Sequence, residues 1–338
     1  MQQNQESERI SMKQEGLKFY RCPSCRSDQL LLKIESQRGD GWIEEGGIEC
    51  GKCMAKYRVT RDLPRFVPEV NYADSFGFQW NIHAKTQLDS YSGLPISRNR
   101  VFEVTRWDTD LHGQRILEAG SGAGRFTEVL LSTGADVFSF DYSTAVDANQ
   151  KNNGVSGNLN LFQGDIFNIP LEPASFDKVF CLGVLQHTPN PAAAFASLTR
   201  YVRPGGVLAV DAYTRNFAAW MQWKYLLRPI TKRMKKQTLY SLIESLTPTL
   251  IPVAKVLRRI AGRAGARLVP IVEYSHLGLS PELNRQWAIL DTFDMYSPAH
   301  DHPQSLVDVR HWFESAGFIE IDVRYGPNGV VGTGKKSG

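Results

Sequence analysis

The sequence has no apolar run approaching the roughly eighteen residues of a membrane-crossing helix. Its first stretch, residues 1–17, is polar and has no apolar centre, so it reads as a tail and not as an export signal. No charge of one sign dominates: 39 Lys or Arg stand against 35 Asp or Glu. That balance argues against an acidic solvating protein, and the 42% hydrophobic content argues against a disordered one. Cysteine is scarce, with five in 338 residues, and without an export signal metal binding is favoured over disulfides. Acids are nearly missing from residues 213–270, where twelve Lys or Arg face one acid, Glu244. The length fits two or three domains.

Four of the cysteines form two Cys-x-x-Cys pairs, Cys22/Cys25 and Cys50/Cys53, with 24 residues between the pairs. Each pair can turn two thiolates onto one cation, and together they close a tetrahedron. Strand-like stretches over 29–36 and 42–49 lie between them, giving a zinc ribbon over 18–66. A redox dithiol would need only one such motif. Four thiolates leave no open coordination position, so the zinc is expected to be structural. A piece this small has little core, and metal binding can contribute about 10–16 kcal/mol to folding it. Cys181 lies in an apolar strand and reads as a small buried residue.

From residue 113 the pattern becomes strand, glycine turn, helix, strand. Residues 115–119 form a short apolar strand, Gly120-Ser121-Gly122-Ala123-Gly124 the turn, 125–132 a helix, and 136–140 a second strand ending at Asp141. Glycines let the backbone bend and a ligand approach, the helix start offers free N–H groups, and Asp141 can accept both ribose hydroxyls of a nucleoside. A nicotinamide-binding turn shares these traits. Here, however, the glycines alternate, and a third strand (159–163) ends in Gly164-Asp165-Ile166, a second acid at a neighbouring strand end. A fourth strand, 176–182, leads into 183–187; a helix over 191–201 and Pro204-Gly205-Gly206 precede a strand at 207–212.

Glu118 to Gly124, Asp141, Gly164-Asp165, Ser175-Phe176-Asp177 and Pro204-Gly205-Gly206, in this order, resemble the class I S-adenosylmethionine-dependent methyltransferases over about 113–213 and again over 304–338. The resemblance implies an α/β, Rossmann-like seven-stranded sheet with one antiparallel member, carrying the zinc ribbon and a helical insertion. It implies S-adenosylmethionine bound by Glu118, Gly120, Ser121, Gly122, Gly124, Asp141, Tyr142, Asp165, Ile166 and Gly183. The glycines would lie beside its methionyl part, Asp141 at the ribose and Asp165 at the adenine amino group. Residues 185–189 would face the transfer site. The zinc ribbon, Gly77–Asn81, Lys85–Asp89 and the block Asp291–His300 are together similar to methyltransferases of bacterial surface-polysaccharide and sugar modification.

Residues 67–112 read as a linker and cofactor cap, with Phe76, Phe78, Trp80 and Tyr91 either capping the cofactor or packing on the core. Gln79 and Lys85 are weaker contacts. Residues 214–303 read as a basic helical insertion or substrate lid, punctuated by Pro229, Pro248 and Pro252, with Trp220 and Trp223 among its apolar residues. Its basic face suits an anionic membrane or phosphate groups, or else is a solvated face on a packing or homo-oligomerising helix pair.

A sugar hydroxyl needs a general base to attack a sulfonium methyl. His187, after the fourth strand, is the first candidate; Asp294, His300 and His302 follow, and Tyr296 could orient substrate. The expected function is O-methylation of a sugar or glycan-linked acceptor, in the cytoplasm or at a membrane periphery. One alternative is an RNA base methyltransferase, since a zinc ribbon with a similar core also occurs there. The ribbon has no aromatic ladder for stacking bases and the chain no Asn-Pro-Pro-Tyr tetrapeptide, which argues against nucleic acid. The other alternative is a non-catalytic zinc adaptor.

Overall fold

The computed structural model describes residues 14–39, 41–68, 71–154, 156–215 and 223–338. Most of the expected tail lies outside them, and Gln14–Phe19 is a short 3-10 helix. The ribbon is an antiparallel meander: β1 (Leu30–Gln37), β2 (Ile43–Cys50), β3 (Lys56–Thr60) and β4 (Leu63–Arg65).

The core strands follow the apolar runs: β5 (Arg115–Ala119), β6 (Asp136–Asp141), β7 (Leu159–Gln163), β8 (Phe176–Cys181) and β9 (Val202–Ala212). All five residues of β7 are buried, as expected of a parallel strand covered on both faces. β10 (Phe318–Gly326) and β11 (Gly329–Lys336) close the chain as a hairpin. The core order is β7-β6-β5-β8-β9-β11-β10, with β11 the one strand antiparallel to its neighbours. The seven-stranded sheet is therefore present, but it does not end at β7. Arg65 of β4 pairs in parallel with Gln163 of β7, so ribbon and core form one eleven-stranded sheet. Their apolar residues also merge: Tyr20, Ile48 and Phe66 share a cluster with Phe140 and Phe162.

Helices over the segment before the core are α1 (Asp74–Ile82), α2 (Asp89–Ser92) and α3 (Ile96–Thr105). The core contributes α4 (Arg125–Leu131), α5 (Val146–Asn153) and α6 (Pro191–Thr199). The insertion holds α7 (Trp223–Thr231), α8 (Lys236–Ala266) and α9 (Pro281–Tyr296), and α10 (Leu306–Ser315) returns to the sheet through a Ser305/Asp308 capping box. Trp220 falls outside the described residues. The insertion is helical, but its prolines do not end helices. Pro229 lies inside α7, and Pro248 and Pro252 lie inside α8 with solvent-exposed rings. A carbonyl left without its N–H partner on an exposed face is satisfied by water. The break in α8 comes instead at Ala261 and Gly262, where φ reaches +57°. Phe78 of α1 packs on Phe293 of α9 at 5.7 Å, binding the cap segment to the insertion.

Candidate active site and metal centre

The four paired cysteines bring their sulfur atoms within 4.8 Å of one another. Cys22 to Cys53 and Cys25 to Cys50 are each 3.6 Å. A tetrahedral zinc with bonds of about 2.3 Å separates its sulfurs by about 3.8 Å, so the set fits that ion and is too wide for a disulfide. The Tyr57 hydroxyl lies 3.3 Å from the Cys22 sulfur and 3.0 Å from Ser24 Oγ, an outer contact that holds one ligand in place.

The second centre forms at the carboxyl ends of the core strands. Gly120, Gly122 and Gly124 all have positive φ, which a tight strand-to-helix bend requires. A Cβ on Gly120 would fall 2.2 Å from a Val184 methyl. The Gly122 N–H donates to Asp141 Oδ2 at 2.9 Å, while the Ser143 N–H and hydroxyl donate to Oδ1 at 2.8 and 2.7 Å. A carboxylate has about four lone-pair sites. The loop occupies three, which leaves one position on Oδ2 without a protein donor among the described residues. Burial pushes the Asp141 carboxyl upward, against the lowering effect of these donors.

A cavity of about 910 Å³ opens beside this loop. Gly120, Ser121, Gly122, Asp141, Tyr142, Ile166 and Gly183 all line it. Glu118, Gly124 and Asp165 do not. Glu118 lies behind the loop and accepts from Thr127 Oγ1 at 2.5 Å and Ser139 Oγ at 2.6 Å. Among the described residues its other oxygen is buried without a partner, and burial lifts its carboxyl to about 7. It braces the loop against α4 and β6. Gly124 serves packing, since a Cβ there would fall 2.2 Å from the Asn149 side chain. Asp165 caps its own turn by accepting from the Phe167 N–H at 2.9 Å.

Of the candidate bases, His187 and Asp294 line the cavity; His302 and His300 do not. His187 Nδ1 lies 3.1 Å from the His300 carbonyl. A carbonyl only accepts, so Nδ1 carries a proton, and the tautomer this selects has its Nε2 lone pair available. His302 contributes its backbone N–H to the Gln186 carbonyl at 2.8 Å, which fixes the loop around His187. Asp294 accepts from Gln79 Nε2 and the Tyr213 hydroxyl, both at 3.2 Å. Tyr296 turns away, donating to the Pro270 carbonyl at 2.9 Å. Phe76 and Trp80 line the cavity, whereas Phe78 belongs to a separate core and Tyr91 is exposed. Lys85 does not reach this cavity.

Asp291, Arg125 and Tyr274 are cavity residues that sequence reading did not single out. Asp291 accepts from Gln87 Nε2 at 3.1 Å and from the Tyr274 hydroxyl, and burial lifts its carboxyl to about 6. One signal was available: Asp291 and Asp294 are three apart, and so share a helix face.

Residues 117–210 match a family model described as a methyltransferase domain. The ubiquinone biosynthesis O-methyltransferase of Methylococcus capsulatus is 30% identical over 131 residues, covering 37% of this chain and 55% of that protein. The one from Aromatoleum aromaticum is 33% identical over 121 residues, covering 33% and 49%. The chain thus spans about half the length of the curated relatives it matches. A methyltransferase solved in complex with the Haloferax volcanii Trm112 methyltransferase activator is 12% identical, with a TM-score of 0.47, over 78% of this chain and 99% of that one. The matched residues fall on the core sheet, from β5 to β9, with the glycine bend among them.

Proposed function

We propose that this protein O-methylates a hydroxyl of a sugar or glycan-linked acceptor, using S-adenosylmethionine. One observation carries the reading. The cavity that begins at Gly122 and Asp141 continues to Asp291, Asp294, Tyr213 and His187, a wall rich in groups that hydrogen-bond hydroxyls. Curated O-methyltransferases match the core, and the polar wall extends the reading toward a polyhydroxyl acceptor.

The residues present fit the cofactor. Gly120 and Gly122 present bare backbone to the cavity, and Asp141 offers an open acceptor position beside them. When bound, S-adenosylmethionine supplies an electrophilic methyl on a sulfonium. The chain's own residues position the acceptor and manage its proton. Asp294, held by Gln79 and Tyr213, can accept from a second acceptor hydroxyl and so orient the sugar. His187 Nε2 takes the proton of the attacking hydroxyl, and its ring is held by Phe76 at 5.0 Å, Tyr213 at 5.3 Å and the His300 carbonyl. Phe76 and Trp80 supply an apolar wall that keeps water from competing with the acceptor.

The test pairs calorimetric titration of S-adenosylhomocysteine with an assay of methyl transfer to glycan fractions. Asp141→Ala is expected to weaken S-adenosylhomocysteine binding while the zinc content stays unchanged. His187→Ala is expected to leave that binding intact and lower turnover by roughly 10²–10⁴. Unaltered affinity in Asp141→Ala, or full turnover in His187→Ala, would overturn the assignment.

A further inference from the structure

The insertion carries a surface that methyl transfer does not use. Along α8, Leu242, Leu246, Val253, Val256 and Ile260 are between 45% and 76% exposed. At 3.6 residues per turn these five positions fall within an arc of about 80°. The neighbouring side of α8, at Leu239, Ile243, Ile251 and Ala254, is the one buried against the fold. α7 adds Leu226 and Ile230, one turn apart and both about two-thirds exposed. An apolar stripe of this length on a surface helix needs an occupant.

The charges around the stripe identify it. Lys232, Arg233 and Lys235 are exposed at the amino-terminal end of α8, and Arg259 and Arg267 near its carboxyl end. Among the described residues, none of these five lies within ion-pair distance of an acid. The basic side chains that do have acidic partners are others: Lys224 with Asp301, Lys236 with Asp74, and Arg258 with Glu273. A second copy of the chain is a poor match. Pairing two such faces would bring like charges together with Glu244 as the only acid in the segment, and Pro248 and Pro252 interrupt the regular packing a helix pair requires. An apolar stripe bounded by unpaired cations suits an anionic bilayer surface, where the aliphatic side chains enter the acyl boundary and the cations meet headgroup phosphates. Among the described residues no helix is long and apolar enough to cross a membrane, so the contact is in the plane of the leaflet.

We infer that the exposed face of α7 and α8 docks this protein onto an anionic lipid leaflet. Arg267, exposed just past the carboxyl end of α8, also lines the cavity, so docking through this end of the insertion would bring the cavity near the lipid headgroups. The inference does not rest on the methyl-transfer reading, because docking is measured without cofactor or acceptor.

The experiment is co-sedimentation of the full chain with vesicles of phosphatidylcholine alone and of phosphatidylcholine containing phosphatidylglycerol, at low and high salt. Binding is expected only with phosphatidylglycerol and to fall as salt rises. Arg233→Glu with Lys235→Glu, and separately Leu242→Asp with Val256→Asp, are each expected to lower it roughly tenfold or more. Circular dichroism checks that each variant folds, and the salt series on the parent chain stands if one does not. Equal binding to neutral vesicles, no binding to either, or insensitivity to both variant pairs would overturn the inference. So would a concentration-dependent dimer in analytical ultracentrifugation that Leu242→Asp dissolves, since a second copy would then cover the stripe.

Discussion

Asp291 is buried, and its carboxyl is lifted from an ordinary 3.8 to about 6. Burial is the main cause; the Tyr274 hydroxyl pulls the other way. Between those two values the folded chain holds a proton that the unfolded chain has released. Stability therefore falls as pH rises through this window and levels off above about 6. Asp291→Asn cannot titrate. Its stability relative to the parent is expected to improve from pH 4 to pH 6 and then stay constant, as read from urea unfolding at each pH. A parallel pair of curves would show that Asp291 ionises normally. Residues of this kind were the least legible in the sequence. Asp141 and the glycines announce themselves because their partners are near in the chain and their spacing follows one turn. Asp291 depends on Gln87, more than two hundred residues away. Glu118 belongs to a recognisable pattern, but only its contacts with Thr127 and Ser139 show that it supports the loop from behind.

The bend between β5 and α4 was legible as an element, since five residues with three glycines leave few other conformations open. Its tolerance is set by close neighbours. Gly120 has φ of +80°, and an added Cβ would fall 2.2 Å from Val184. Gly120→Ala is expected to cost about 1–3 kcal/mol in stability and to weaken S-adenosylhomocysteine binding. Thermal melting with calorimetric titration checks both, and an unchanged melting point would mean that the loop relaxes freely. The β-strands of the core were legible because each apolar run ends at a glycine, proline or acid. The course of α8 was not. Proline in a pattern reads as a stop, yet solvent exposure at Pro248 and Pro252 removes much of the cost of continuing the helix.

Across the whole molecule, sequence reading separates ribbon from core, whereas the structure joins them. Besides the shared strand pairing, Arg26 donates to the Ile169 carbonyl at 2.7 Å and to the Tyr201 hydroxyl at 3.0 Å. Arg65 and Arg61 both reach Asp147 of α5, at 2.6 and 2.9 Å. These contacts are invisible to motif spacing because they join segments some eighty or more residues apart. They predict a cooperative response to metal loss. Cys22→Ser is expected to lower zinc content and to shift a single melting transition of the entire chain downward, seen by metal analysis and calorimetry. Retained zinc would refute the ligand set, and two separated transitions would refute the coupling.

β4 meets the outer side of β7 at its last residue, where the Phe66 N–H also donates to the Gln163 carbonyl at 2.9 Å. An uncovered outer strand this apolar is a template for pairing between molecules. The small cysteine-bearing piece caps the carboxyl end of this edge, and a core with it cut away is expected to collect in inclusion bodies even where every group around the glycine bend is intact.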